Sequence, residues 1–589
     1  MWIVDDGGLP VSLERKGTFF STDDFYELIK SYLPSRVIAH NWVFDAAVLK
    51  LGSRFNMMRH GYNISVNDSI IPVDSKGFSP FLISLDFDGK LSEFICNTNF
   101  YKQSLASLGD SFITNKQVMP NESEYENNDD YLDALEEYCY RDVEILRIAW
   151  FYMFEFVDDI AGITPGVTVA MAANRIYRKR FMPDVDIQGS LSIPKVTIAE
   201  LEAYKGGRTD SFFSGIPDVE NIYKYDVNSL YPSVMIGDMP IRYQQMVSED
   251  MLRTQLQMGD TRFIYLARVD INTDSESDLS FIASEGIRDS NDRLIFPIGR
   301  FTAWVWQPML EILFEQDYIE HIHEIYAYQK YPIFDDYVNT LYSERKKYKI
   351  SGDKSKDLLL KIMLNSLYGK FGQRAHSKWH QVDVDDYEYT IMKRDYEGVE
   401  RFSDFYNDDF NDYLSVGQDL FRAIAVEELP NKASVLSVAG YITSKARSVL
   451  WRGLATIIER GGEVYYCDTD SIFTSIPLPD SMVSDNDLGY WKLEDVLKGS
   501  DTEFVAPKHY RSGNTWKIKG IRNPSSDSKF SQNVFPNFIT DLTSNNDKRR
   551  ERLELNPIIA KIIKRPTGIN SKRLYRGENM PTLPIILGD

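Results

Sequence analysis

Two aspartates separated by one threonine, Asp468-Thr469-Asp470, stand between two short apolar runs: Val464 to Cys467, then Ile472, Phe473 and Ile476. Runs of that length and composition read as a hairpin with the aspartates at its tip. Carboxylates so close repel each other and ionise together only with a cation beside them. Oxygen ligands on a stiff element suit magnesium, with phosphate oxygens completing its shell. A lone Asp-Thr-Asp is more simply a turn, because Asp bonds its own backbone there. Two other segments tip the balance. Asp226 closes the short strand Tyr223-Lys224-Tyr225-Asp226-Val227, which leaves its carboxylate at a sheet end ahead of Asn228-Ser229-Leu230-Tyr231-Pro232. Lys361, Asn365 and Tyr368 recur at i, i+4 and i+7 on a run ended by Gly369, and so line one helix face while Ile362, Met363 and Leu367 pack inward. Lys349 can face the same way from a preceding helix. Two lysines and an aromatic ring make a cradle for a triphosphate and a base.

Further polar groups recur along the chain. Tyr204-Lys205-Gly206-Gly207 carries paired glycines, which let a backbone pass close to another chain. Thr443 and Arg447 lie on a helical run, Lys508 and Tyr510 on a later motif, and Lys517 and Lys519 alternate onto one strand face suited to a phosphate backbone. Nearer the start, Tyr138 and Asp142 are four apart on a helical run and can address one phosphate. Ala39-His40-Asn41-Trp42-Val43-Phe44-Asp45 and Ser104-Leu105-Ala106 precede them.

The elements positioning these groups need a long chain. At 589 residues it divides into several domains, and 43% hydrophobic and 13% aromatic content supports globular folding. The sequence reads as intracellular and membrane-free, with no spanning run and an acidic start unlike a signal peptide. Its three cysteines form no CxxC pair, which argues against structural zinc or disulfides. The formal charge is −21 (66 minus 87), so a polyanion needs local basic grooves. Arg345 to Lys349 and Lys548 to Arg576 are such places, while the acids gather in Glu122 to Glu137 and Asp383 to Asp412.

Asp226-x-x-Ser-Leu-Tyr-Pro, Lys361-x-x-x-Asn-Ser-x-Tyr-Gly and Tyr466-x-Asp-Thr-Asp-Ser resemble, in order, motifs A, B and C of family B DNA polymerases. Tyr204-x-Gly-Gly, Thr443-x-x-x-Arg447, Lys508-x-Tyr510 and the long stretch between motifs A and B extend the resemblance to the protein-primed branch of phages, adenoviruses and linear plasmids. It implies an α+β, multidomain right hand: a palm with an antiparallel sheet, helical fingers, a small thumb and an N-terminal RNase H-like 3′–5′ exonuclease-type domain. The expected divisions are exonuclease-like 1–160, palm 161–235, a first insert 236–337, fingers 338–375, a second insert 376–432, palm 433–525 and thumb 526–589.

By the same resemblance Asp226, Asp470 and the Val227 main chain hold two Mg²⁺ ions, for which Mn²⁺ can substitute, with Asp468 close by. Lys349 and Lys361 take the triphosphate, with Asn365 on the same helix face. Tyr231 excludes a 2′-hydroxyl, and Tyr368 packs on the nascent base pair. Tyr204, Gly206 and Gly207 meet the template, Thr443 and Arg447 the primer terminus, and Lys508, Tyr510, Lys517 and Lys519 the DNA strands. The implied partners are primer-template DNA, dNTPs and a terminal protein, acting on a monomer. In the N-terminal part, Asn41, Phe44, Asp45, Ser104, Leu105, Tyr138 and Asp142 resemble later motifs of DEDD-type proofreading exonucleases. That family's first motif, Asp-x-Glu, has no match upstream of Asp45. A chain that begins late, or impaired proofreading, is the expectation. Rival readings are a nuclease with a degenerate polymerase body, a non-catalytic DNA clamp, and a polymerase using an ordinary nucleic-acid primer.

Overall fold

The computed structural model describes residues 2–4, 11–12, 22–40, 59, 63–66, 82–112, 114–259, 262–273, 278–289, 293–373, 378–381, 412–416, 419–424, 434–513, 515–518 and 572–587. The N-terminal part is built on a six-stranded sheet whose spatial order is Val11–Ser12, Trp2–Val4, Ser35–Ala39, Lys90–Cys96, Leu82–Phe87, Asn63–Val66. The 34-residue helix Asn128–Ala161 follows. Asn127 caps it by accepting from the Asp130 N–H, Asp129 and Asp130 complement its positive end, and Gly162 stops it at φ 65°. Ile145, Ala149, Met153 and Val157 repeat every fourth residue and are buried. The helix's second half is therefore anchored in the core, while Tyr138 and Asp142 sit on the freer first half.

The functional sheet has five strands in the order Trp491–Lys498, Asn221–Val227, Ser471–Thr474, Val464–Asp468, Thr209–Ser211. Every neighbouring pair in it is antiparallel. Its core strands are rich in Val, Ile, Tyr and Phe, as a half-buried pleated surface favours. The long helix Leu436–Glu459 packs behind it through Ile442, Ala446, Leu450, Leu454 and Ile457. Gly453 permits the close approach: a Cβ there would stand 2.5 Å from Cζ2 of the buried Trp491 indole.

Two helices, Asp335–Ser351 and Lys354–Ser366, occupy most of the segment expected to form the fingers, turned back on each other at Gly352 (φ 78°). Asp353 caps the second by accepting from the Lys356 N–H. Arg345 binds them together and to the palm, donating to Asp357 at 2.9 Å and to the Ser229 hydroxyl at 3.1 Å. Residues 236–337 contribute four strands of a second five-stranded sheet, ordered Met239–Met246, Ile319–Tyr331, Ile264–Thr273, Ile298–Trp306, Ile586–Leu587.

The fifth of those strands belongs to the segment expected to form the thumb. Its described end, residues 572–587, is instead sewn into the body. Met580 and Pro581 pair with Ser214 and Phe213, and Ile586 pairs with Ile298. The buried Arg573 donates to Thr582 and to the Phe281 carbonyl. Of the expected second insert, the described residues are three paired strands, Lys378–Gln381, Asp412–Val416 and Asp419–Ile424. Among the described residues no helix is long and apolar enough to cross a membrane.

Candidate active site

The hairpin forms as its sequence predicts, with strands Val464–Asp468 and Ser471–Thr474 and the turn Thr469-Asp470 between them. Thr469 takes φ 60°, a left-handed conformation unfavourable for a β-branched residue. Its neighbours hold it there. Its N–H donates to the Arg208 carbonyl at 2.7 Å, and a Cβ on Gly207 would come within 2.7 Å of its Oγ1, so only glycine leaves room. The Asp226 strand lies alongside with Asp226 opposite Ser471, and the Val227 N–H donates to the Asp470 carbonyl at 2.7 Å. One main-chain bond thus brings the ends carrying Asp226 and Asp470 together.

The three aspartates are not equivalent. Asp468 is matched on the spot: both its oxygens accept from Lys508 Nζ at 2.9 Å, and one accepts from Thr209 Oγ1 at 2.8 Å. Burial, then the Asp470 charge, push the Asp226 carboxyl up to about 7. Burial, opposed by its own N–H and reinforced by Asp468, also raises Asp470. Lys361 lowers both, and Lys224 lowers Asp226, through space rather than by contact. Two half-buried carboxylates with no cation touching them among the described residues, both resisting ionisation, are a donor set that fits a divalent ion. Val227 is buried directly beside them.

The fingers face this pair. Lys361 and Asn365 are exposed on one face of their helix, and Lys349 is exposed in the last turn of the helix before it. Tyr368 stacks on Tyr231 with ring centroids 4.1 Å apart and planes 10° from parallel, an aromatic floor between palm and fingers. Tyr204 is half-buried and its phenol lies where a Cβ on Gly372 would be, while Gly206 is exposed beside it. Tyr510 packs against Tyr466 and Phe473, at 4.8 and 5.3 Å between ring centroids. Lys517 points outward on Thr515–Ile518, and Lys519 lies outside the described residues. Cys467, one residue before Asp468, is fully buried, and burial lifts its thiol to about 12.

Thr443 and Arg447, expected at the primer terminus, are elsewhere. Both are buried, Thr443 donating to Gly440 of its own helix and Arg447 to the carbonyls of Lys205 at 2.7 Å and Gly206 at 3.2 Å. A guanidinium committed to main-chain oxygens inside the protein is not presented to DNA, so these two shape the site from behind.

In the N-terminal part, Lys116 donates to the Tyr138 hydroxyl at 2.6 Å and to both oxygens of Asp142, and it sits over the Tyr138 ring. The phenol and carboxylate do share a face, as their spacing requires. Ser104 and Leu105 are structural instead: Ser104 caps the helix Leu105–Ser111 by accepting from Ser107, and Leu105 is buried. Asn41, Phe44 and Asp45 lie outside the described residues.

Several contributors escape a reading by motif. Thr209, through its hydroxyl, and Arg208, through its carbonyl, act from the two residues that follow the paired glycines. Lys116 is remote in sequence from its partners. Glu494, whose charge opposes ionisation of Asp226, reaches the site because Lys492, two residues away, lies opposite Asp226 in the sheet. Only the alternation of Lys492 and Glu494 on a strand hints at it.

Comparison with known proteins gives a consistent picture. The family described as DNA polymerase type B, organellar and viral, matches residues 50–418. A probable DNA polymerase of Podospora anserina is 28% identical over 369 residues, 59% of this chain and 29% of the relative. The DNA-directed DNA polymerase of Enterobacteria phage PRD1 is 27% identical over 298 residues, 49% of this chain and 46% of the relative. The chain spans 29% and 32% of the length of the Podospora anserina and Ascobolus immersus relatives. In fold it resembles Phi29 DNA polymerase (orthorhombic crystal form), with a TM-score of 0.57 and 17% identity over 86% of this chain and 82% of that one. The ternary complex of that polymerase with primer-template DNA and incoming nucleotides matches equally, at TM-score 0.57.

The electrostatics of the carboxylate pair make a testable statement. A carboxyl whose pKa is higher folded than unfolded binds more protons when folded, so its ionisation costs stability as pH rises between the two values. For Asp226 that window runs from the ordinary carboxylate range to about 7. In EDTA, Asp226→Asn should raise the unfolding temperature above wild type, and by more at pH 8 than at pH 5.5. Thermal unfolding at both pH values checks this; an equal difference at the two would mean that Asp226 ionises there at no cost.

Proposed function

Because the chain belongs to the type B DNA polymerases of the organellar and viral class, we propose that it carries out template-directed addition of deoxynucleotides to a 3′-hydroxyl. One observation carries this reading: Asp226 and Asp470, far apart in sequence, meet at adjoining strand ends with no cation in contact among the described residues and a lysine-bearing helix opposite. Asp226, Asp470 and the Val227 carbonyl would hold Mg²⁺. When bound, the ions favour ionisation of the attacking hydroxyl and offset charge on the phosphates and the leaving pyrophosphate.

The remaining work falls to the protein's own side chains. Lys361 and Lys349 draw in the triphosphate and stay fixed while charge moves toward the leaving group. Asn365 lies one turn on from Lys361, along the incoming nucleotide. Tyr231 fills the space under the sugar, rejecting a 2′-hydroxyl by clash, and the stacked Tyr368 holds that ring in place. Lys508 keeps Asp468 paired, which spares the Asp226–Asp470 pair a third uncompensated neighbour. Lys508, Tyr510 and Lys517 follow the primer strand, and Tyr204 with Gly206 and Gly207 follows the template. The Phi29 polymerase structures with primer-template DNA and incoming nucleotides support these partners.

Initiation from a protein hydroxyl is the accompanying proposal. Its support is the extra sheet built by residues 236–337 between motifs A and B. Proofreading by this chain is proposed to be weak or absent, because residues 1–45 supply no Asp-x-Glu to join Asp142.

Three measurements bear on this. Wild type should extend a primer on a primed template with Mg²⁺, and Asp470→Ala should lose about a thousandfold or more in rate; failure of both would favour the non-catalytic clamp. Incubation with radioactive dAMP donor and a candidate terminal protein should label that protein in the presence of wild type. Labelling of none, with primer extension intact, would leave a polymerase that starts from nucleic acid. Single-stranded DNA should survive prolonged incubation with the enzyme and Mg²⁺, and rapid degradation abolished by Asp142→Ala would reverse the proofreading proposal.

A further inference from the structure

Behind the catalytic turn lies a group of charges that the polymerase chemistry does not use. Lys205, the second residue of Tyr204-Lys205-Gly206-Gly207, is 3% exposed, and Glu285, in the first insert, 1%. Their Nζ and Oε1 are 3.1 Å apart. Lys205 also donates to the Trp304 carbonyl at 3.2 Å, and the same Glu285 oxygen accepts from the Gly286 N–H at 2.8 Å. Three residues after Lys205 and two before Glu285 the grip repeats: Arg208 donates to the carbonyl of Ala283 at 2.7 Å. Arg447 closes the other flank through the Lys205 and Gly206 carbonyls. Residues 283–286 of the insert thus hold residues 205–208 by side chain and main chain together.

The opposite side of residues 205–208 carries the catalytic turn. Thr469 hangs from the Arg208 carbonyl, Gly207 gives its side chain room, and Thr209 lies opposite Asp468 and bonds its carboxylate. A shift of the 205–208 segment therefore moves Thr469 and the two aspartates flanking it. Buried ion pairs contribute little net stability, because desolvation offsets their attraction, and in some proteins they specify one geometry instead. We propose that Lys205 and Glu285 are positioning residues that hold the Asp468–Asp470 turn in its ion-binding shape, so that the first insert takes part in forming the catalytic site. The inference rests on the polymerase reading and deepens it: the insert is joined to the chemistry as well as to any protein primer.

The test uses the full chain in two forms, Glu285→Gln and the double variant Lys205→Met with Glu285→Met, the latter removing both buried charges so that folding is retained if the single variant fails. Mn²⁺ binding is followed by loss of the free-ion EPR signal without DNA or nucleotide. The Mg²⁺ dependence of primer extension and metal-free primer-template affinity are measured alongside. The expected result is Mn²⁺ binding weakened threefold or more and an equal rise in the Mg²⁺ concentration for half-maximal rate. Unchanged Mn²⁺ binding in a folded variant overturns the proposal, whether or not rate or DNA affinity falls. Inactive wild type would fail the polymerase reading, and the inference with it; active wild type with unmoved metal binding fails the inference alone.

Discussion

Two negative charges that would rather be apart are held together by a main-chain hydrogen bond, from the Val227 N–H to the Asp470 carbonyl. The order of the sheet serves that bond. The Asp226 strand must lie directly beside the hairpin's second strand, in the register that sets Asp226 opposite Ser471. A slip by one residue would turn Asp226 to the other face of the sheet. The burial of Tyr225, Val227, Ile472 and Phe473 on their respective strands is what makes such a slip costly. Hydrophobic patterning, with no chemistry of its own, fixes where the chemistry can occur.

Charge is placed with similar economy. The formal net charge of −21 overstates the electrostatics near neutrality, because some carboxyls are held partly protonated by their surroundings. Asp226 is one. Glu200, buried and bonded by the Tyr328 hydroxyl at 3.0 Å, is another, lifted by burial to about 8. Glu285 goes the other way: burial alone would raise it, but Lys205, Arg447 and the Gly286 N–H together bring it below its ordinary value. The cations therefore divide into those matched to one acid, such as Lys508 and Lys116, and those left facing open space, such as Lys361.

Local periodicity made part of this legible from the chain alone. The hairpin around Asp468 and Asp470, the strand end at Asp226 and the helix face of Lys361 depend on neighbours a few residues away, and all formed. Burial of polar residues was not legible in the same way. Thr443 and Arg447, which the resemblance sets at the primer terminus, are buried, and the paired-glycine segment closes over Arg447 through the Lys205 and Gly206 carbonyls. Ser104, in a stretch that resembles an exonuclease motif, is a helix cap. The return of residues 572–587 to the palm depends on contacts with strands hundreds of positions earlier, for which short apolar runs carry no address.

The three cysteines, unremarkable as a motif, end in very different places. Cys96 and Cys467 are sealed inside, and Cys139 alone is exposed, on the long helix three residues before Asp142. A thiol buried beside Asp468 cannot form a reactive thiolate, so the hairpin is insulated from oxidants and alkylating reagents. The natural chain thus offers a single attachment point for a fluorophore. It sits on a rod about 50 Å long at 1.5 Å per residue whose far half is embedded in the core.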